Sequence, residues 1–176
     1  MKKYYCLFFV LAILTLSCIR KEDCNIQPIN SDIIDLSKLK GDFIYENQKR
    51  EIDSFILSDY SNVIRNQTIS SLANHKLCGH FIVFDYTYKN EAISFTLKKT
   101  EKIFEFSVNG FCVSKDISMN EYEVKSDSLF VINIEKCDKS DLKTLAFRKF
   151  KLEYYITQDG DIWKPIKFIP DRADMP

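Results

Sequence analysis

The chain has 176 residues, with 25 lysines and arginines against 25 aspartates and glutamates, 45% hydrophobic residues, and only four glycines and four prolines. That length is one domain's worth of polypeptide. The apolar content excludes a disordered charged tail, and the scarcity of glycine and proline excludes collagen-like repeats and flexible linker material.

Lys2 and Lys3 open the chain, and the stretch from Tyr4 to Leu16 is apolar apart from Thr15 and tyrosine hydroxyls. A membrane-crossing helix needs about 20 apolar residues. Ser17, Arg20, Lys21, Glu22 and Asp23 end this run early, so it reads as a cleaved signal peptide rather than a span. Its end, Leu14-Thr15-Leu16-Ser17-Cys18, resembles the lipobox of bacterial lipoproteins, with Thr15 where that family usually carries leucine. The resemblance covers only the leader. It implies removal of residues 1–17, acylation of Cys18 and a lipid membrane as partner, since two or three acyl chains anchor stably. Ile19 after the cysteine resembles the sorting signal for the outer membrane. Arg20-Lys21-Glu22-Asp23 looks like the short charged signal for surface display, or else is a solvated run beside the anchor, so the protein faces the periplasm or the cell surface.

Cleavage takes Lys2, Lys3 and Cys6 with it and leaves 159 residues, 23 basic and 25 acidic, a side-chain balance of minus two. Nucleic acid is therefore not an expected partner. With Cys18 lipidated, Cys24, Cys78, Cys112 and Cys137 remain in an oxidising compartment and allow two disulfides in three pairings. Cys24, ahead of the domain, gains most from a staple to Cys78 or Cys137.

Residues 18–31 hold the lipidated cysteine and a short polar tether, and residues 32–170 read as one globular α+β domain. Ile33, Ile34, Leu36 and Leu39 mark its entry. Gly41 precedes a short strand or turn over 42–45. Ile52, Phe55, Ile56, Tyr60, Val63 and Ile64 recur at three-and-four spacing, which predicts an amphipathic helix over 51–64 against a competing pair of strands. After Gly79 the period becomes two. Phe81 to Tyr88 and Ala92 to Leu97 form a hairpin around Lys89-Asn90-Glu91, with Ile93, Phe95 and Leu97 on one face. Phe104, Phe106 and Val108 then alternate with Ile103, Glu105 and Ser107, and Asn109-Gly110 supplies a type I′ turn signal. Tyr122 and Val124 suggest a short strand, and Leu129 to Ile134 another. The last hairpin joins 146–156 to 162–168 around Asp159-Gly160. Pro165 places its final strand at an edge or stops it near Lys164. Residues 171–176 are a frayed tail. The sum is an N-terminal amphipathic helix packed on a largely antiparallel meander sheet of about seven or eight strands.

Short catalytic and phosphate-binding motifs are missing, and no cofactor is implied. His75, Cys78 and His80 lie within six residues, a conceivable metal set or a source of a general base. Two loop histidines beside a structural cystine explain them more simply. The acidic pairs Asp138/Asp141, Asp159/Asp161 and Asp171/Asp174 flank turns or the terminus, where solvated carboxylates are ordinary. Tyr154, Tyr155 and Trp163 offer an aromatic recognition surface, because adjacent tyrosines on a strand cannot share one face, with rim packing as the alternative. The expected function is a membrane-anchored, extracytoplasmic binding or interaction protein, of immunity or inhibitor type, whose partner is an envelope or secreted protein. A structural subunit of an envelope complex and an envelope hydrolase with a non-local histidine or carboxylate site are the rivals.

Overall fold

The computed structural model describes residues 24, 26–31, 33–68, 76–101, 103–110, 113–135 and 140–171. A 3-10 turn at Leu36–Lys38 is capped by Asp35, whose side chain accepts from the Ser37 amide. Ten strands follow. They are β1 (Gly41–Glu46), β2 (Ile52–Thr68), β3 (Lys76–Tyr88), β4 (Glu91–Lys99), β5 (Phe104–Gly110) and β6 (Val113–Met119), then β7 (Leu129–Asn133), β8 (Leu142–Arg148), β9 (Lys151–Thr157) and β10 (Ile162–Pro170). The five-residue helix α1 (Glu121–Lys125) separates β6 from β7.

All ladders are antiparallel, in the order β6-β5-β4-β3-β2-β1-β10-β9-β8-β7. Every neighbour pair but one is sequential, and the exception, β1 with β10, joins the two ends of the chain. The sheet curls until its halves meet, which puts Phe95 of β4 against Phe147 of β8 with ring centroids 5.2 Å apart, and Phe106 of β5 at 5.3 Å from Phe130 of β7. Among the described residues only the seam between β6 and β7 lacks a ladder, so the domain is an almost closed up-and-down barrel. Its interior is filled by rings. Tyr45, Phe55, Tyr88 and Tyr155 stack edge-on or face-on within 5.7 Å at its centre.

This architecture replaces the expected α+β meander with a mostly β domain of ten strands, and the expected N-terminal helix is strand β2. The reason lies in a bulge. β2 pairs Leu57 with Tyr86 but Asp59 with Asp85, so Ser58 is an extra residue that resets the alternation. Phe55 is buried before the bulge, whereas Tyr60 packs against Phe84 after it. A step of two followed by a step of three imitates helical spacing, and the exposed Ile52, Ile56, Val63 and Ile64 complete the imitation.

Four further local expectations move. Tyr122 and Val124 lie in α1 rather than a strand, because Asn120 and Glu123 form a reciprocal capping box and Val124 turns into the core. The stretch 146–156 is two strands, reversed at Lys149-Phe150 with φ of 48° and 66°, the same pair of values found at Lys89-Asn90. Pro165 sits inside β10 at a second bulge, where Ile44 faces Lys167 and Tyr45 faces Pro165, the position at which a strand tolerates a missing amide donor. Gly110 pairs with both Ile93 and Val113, so β5 continues through the expected turn. A Cβ at Gly110 would come within 2.5 Å of the Ala92 carbonyl, so close approach to β4 demands this glycine.

Candidate functional site

The barrel has two ends of different character. At one, the β1–β2, β3–β4 and β9–β10 turns converge. Lys89 bridges Asp141, through a short ion pair, and Asp53, at 3.5 Å. The Tyr155 hydroxyl donates to Asp53 at 3.3 Å and that of Tyr88 to Asp141 at 3.4 Å. Burial, reinforced by the Asp53 and Asp141 carboxylates and, for Tyr88, by Tyr155, pushes both tyrosines far above the usual phenol range, which keeps them protonated as donors. Burial works against the Lys89 charge, yet its bonds to Asp141 and the field of Asp141 and Asp53 outweigh that and hold its pKa up. Lys49 and Asp161 add an ion pair of 2.6 Å beside it. Donors and acceptors here answer one another, so this constellation reads as a polar plug.

The opposite end is closed by the segment leading into β1. Ile26, Ile29, Ile33, Ile34 and Leu39 are buried there, each contributing on the order of 1.5–3 kcal/mol. Cys24 is bonded to Cys78 of β3, and the Tyr86 hydroxyl donates to the Leu39 carbonyl at 2.6 Å. The part of the supposed tether from 26 to 31 therefore packs against the barrel. His80 is the polar anchor of this plug. Its Nδ1 accepts from the Ile29 amide at 2.7 Å and its Nε2 contacts Asn62 Oδ1. With Nδ1 accepting, the ring is the neutral tautomer protonated at Nε2. Burial, then nearby Lys99, depress its pKa and favour that neutral form.

Besides a cleft of about 260 Å³ at the β6–β7 seam, lined by Met119, Val124 and Phe150, two clefts open at this end among the described residues. One, of about 700 Å³, lies where β2 diverges from β1, with Asp42, Leu57, Tyr60 and Asp171 on its walls. There the Asp42 carboxylate accepts from the Leu57 amide at 2.8 Å, and Lys40 lies 5.0 Å over the Tyr60 ring. The other, of about 280 Å³, lies between the plug, α1 and the β8–β9 turn and is lined by Lys38, Lys125, Arg148, Lys149 and Lys151. β2 and β3 also outrun their neighbours. β1 pairs with β2 only from Phe43/Phe55 to Glu46/Ile52, and β4 leaves β3 at His80/Lys99, while β2 and β3 remain paired to Thr68/Lys76. From Ile56 onward the outer edge of β2 has no strand beside it among the described residues. Ile56, Val63 and Ile64 are 42%, 40% and 43% exposed along that arm.

The residues singled out from the sequence divide as follows. Cys78 and His80 do not form a metal set, since the sulfur is bonded to Cys24 and both ring nitrogens have partners, while His75 lies outside the described residues. Cys18, Cys112 and Cys137 lie outside them too. Tyr155 is fully buried and stacks on the buried Trp163, with planes 4° apart, so these two form core and not surface. The Trp163 indole nitrogen is buried without an acceptor among the described residues. Tyr154, on the other face of β9, is half-buried. Of the acidic pairs, Asp159 and Asp161 flank the β9–β10 turn, where a Thr157 hydrogen bond keeps the Asp159 carboxyl below its ordinary value. Sequence reasoning missed the five-cation cleft, because its members are spread from residue 38 to residue 151 and meet only when the barrel curls. It also missed the Lys89 bridge, whose signal was a hairpin turn carrying a lysine. Comparison of the chain with protein-family models, with curated proteins and with solved structures finds no match.

Proposed function

We propose that this protein is a lipid-anchored extracytoplasmic binding domain that recognises an extended segment of an envelope or secreted protein by strand addition to the free edge of β2. The observation that carries this reading is the β2–β3 arm, an edge without a neighbouring strand among the described residues that displays Ile56, Val63 and Ile64. Such an edge offers backbone hydrogen bonds for affinity and alternate side chains for specificity. The Cys24–Cys78 bond supports an oxidising compartment and ties the start of the domain to the base of the arm. Proposed acylation of Cys18 would then hold the arm near an outer-membrane leaflet. His80 is committed to the plug, which favours binding over hydrolysis.

The test is affinity capture from solubilised envelopes with the native chain and with Val63→Lys/Ile64→Lys, a change that blocks edge pairing by charge while leaving the barrel rings untouched. A stoichiometric partner taken by the native chain and lost by the variant, with unchanged melting, is the expected result. A partner retained by the variant, or none recovered under several growth conditions, overturns the reading.

A further inference from the structure

The cleft beside the plug has a charge inventory out of proportion to the chain. Five cations line it, against the carboxylates of Asp35 and Glu153, in a sequence where the two signs number 25 each. They come from three separate elements. Lys38 ends the 3-10 turn, Lys125 ends α1, and Arg148, Lys149 and Lys151 bracket the β8–β9 turn. Two carboxylates outside the lining also approach them: Glu121 pairs with Lys125 at 2.7 Å, and Asp127 lies 3.5 Å from Arg148 and 3.8 Å from Lys149. Lys38 pairs with Asp35 at 3.0 Å. These pairs are exposed, so each contributes only about 0–1 kcal/mol and yields readily to a stronger anion.

The backbone fixes the arrangement. Lys149 occupies the first positive-φ position of its turn, while Phe150, the second, is buried in the core and pins the turn in place. Arg148 is braced by donating to the Asp127 carbonyl at 2.7 Å. Three cations within four residues repel one another, and the fold holds them around one concavity. Ile33 and Leu39 supply an apolar wall beside them.

We infer that this cleft binds a phosphate-bearing anion, with the doubly charged phosphate among Lys38, Arg148, Lys149 and Lys151 and a small apolar portion against Ile33 and Leu39. Several cations converging on one dianion match phosphate chemistry better than they match a single carboxylate. The source is either a lipid headgroup or a free phosphate ester. This site is separate from the β2 edge and does not depend on what that edge binds.

The experiment uses the full chain in neutral detergent micelles, titrated by calorimetry with inorganic pyrophosphate in one arm and with micelles doped with phosphatidic acid in the other. Saturable binding in either arm is expected, weakened at least about tenfold by Lys149→Gln/Lys151→Gln and weakened further as salt rises. Response to pyrophosphate alone identifies a soluble phosphate, and response to phosphatidic acid alone identifies a headgroup. Arg148→Gln is a second test variant, and Lys115→Gln on β6 is the control that leaves binding unchanged. The absence of saturable binding in both arms up to about 10 mM overturns the inference. So does equal affinity in the native chain and both cleft variants, or equal weakening by Lys115→Gln.

Discussion

The two ends of the barrel solve the same problem by different physics. Where the turns converge around Lys89, charges and hydroxyls are brought together so that Asp53, Asp141, Tyr88 and Tyr155 satisfy one another. At the plugged end a covalent bond and five aliphatic side chains do the closing, and the cations beside them are held only by exposed ion pairs that yield readily to another anion. A self-satisfied network has little left to offer a ligand. An apolar plug stapled in place leaves its neighbouring polar groups available, so recognition concentrates at that end.

The largest expected effect comes from cutting the staple. Cys24 and Cys78 are 54 residues apart, and on the chain-entropy model a loop of that size is stabilised by about 4 kcal/mol, an upper figure because the unfolded chain retains structure. Cys24→Ser/Cys78→Ser should therefore lower the denaturation midpoint strongly. Hydrogen exchange should rise at Ile29, Ile33 and Ile34 and stay slow around Tyr88 and Tyr155. Equal acceleration at both ends would mean that the plug is not an independent unit.

Next in size is the other end. Lys89→Met leaves the carboxylates of Asp53 and Asp141 facing each other without a cation. Breaking a fully buried pair costs about 3–5 kcal/mol, but Lys89 is half exposed, which reduces the expectation to about 1–2 kcal/mol. The double variant Lys89→Met/Asp53→Asn should recover part of that loss, which urea denaturation of both proteins would show. A loss that persists in full would assign the effect to the lysine stem's packing instead of its charge.

A smaller effect is expected at the seam between β6 and β7. Asn120→Ala removes the capping-box acceptor for the Glu123 amide, a change that costs about 1 kcal/mol, and it should loosen Val124 without disturbing either barrel end. Thermal unfolding monitored in parallel with exchange at Val124 would separate a local opening from a global one.

How far this division could be read from sequence depends on where the deciding contacts lie. The β3–β4 hairpin was legible because its information is local: Ile93, Phe95 and Leu97 alternate, and Asn90 is comfortable at positive φ. So was the set of cysteines that contains the Cys24–Cys78 bond, although not the choice among pairings. The β8–β9 turn was illegible because it places Lys149 and Phe150, neither of them a turn residue, at positive φ, and burial of the Phe150 ring offsets that strain. β2 misled because a bulge broke its period. α1 carried an Asn120-x-x-Glu123 signal that two β-prone residues, Tyr122 and Val124, masked. Nothing local announces that β1 will pair with β10, and without that closure Lys38, Lys125 and Lys151 have no reason to be neighbours.

The smallest effect is also the one that depends on pH, present in full at neutral pH and fading in acid. His80 can accept from the Ile29 amide only while its Nδ1 is unprotonated. Lys99 of β4 is the charged group whose field opposes protonation, Asn62 of β2 faces the other ring nitrogen, and the neighbouring plug residue Ile29 presents only its backbone. Because the folded pKa lies below the ordinary 6.5, the unfolded chain binds the proton first as acid is added. Stability is therefore unaffected by this group above the unfolded value. It declines as pH falls through that value and levels off below the folded one. In His80→Gln that dependence should be missing, so the stability difference between native and variant should shrink from pH 8 toward pH 5.5. In the native protein the exchange of the Ile29 amide should accelerate over the same interval, while amides near Lys89 keep their protection. A difference that stays constant with pH would show that His80 holds the plug by packing alone.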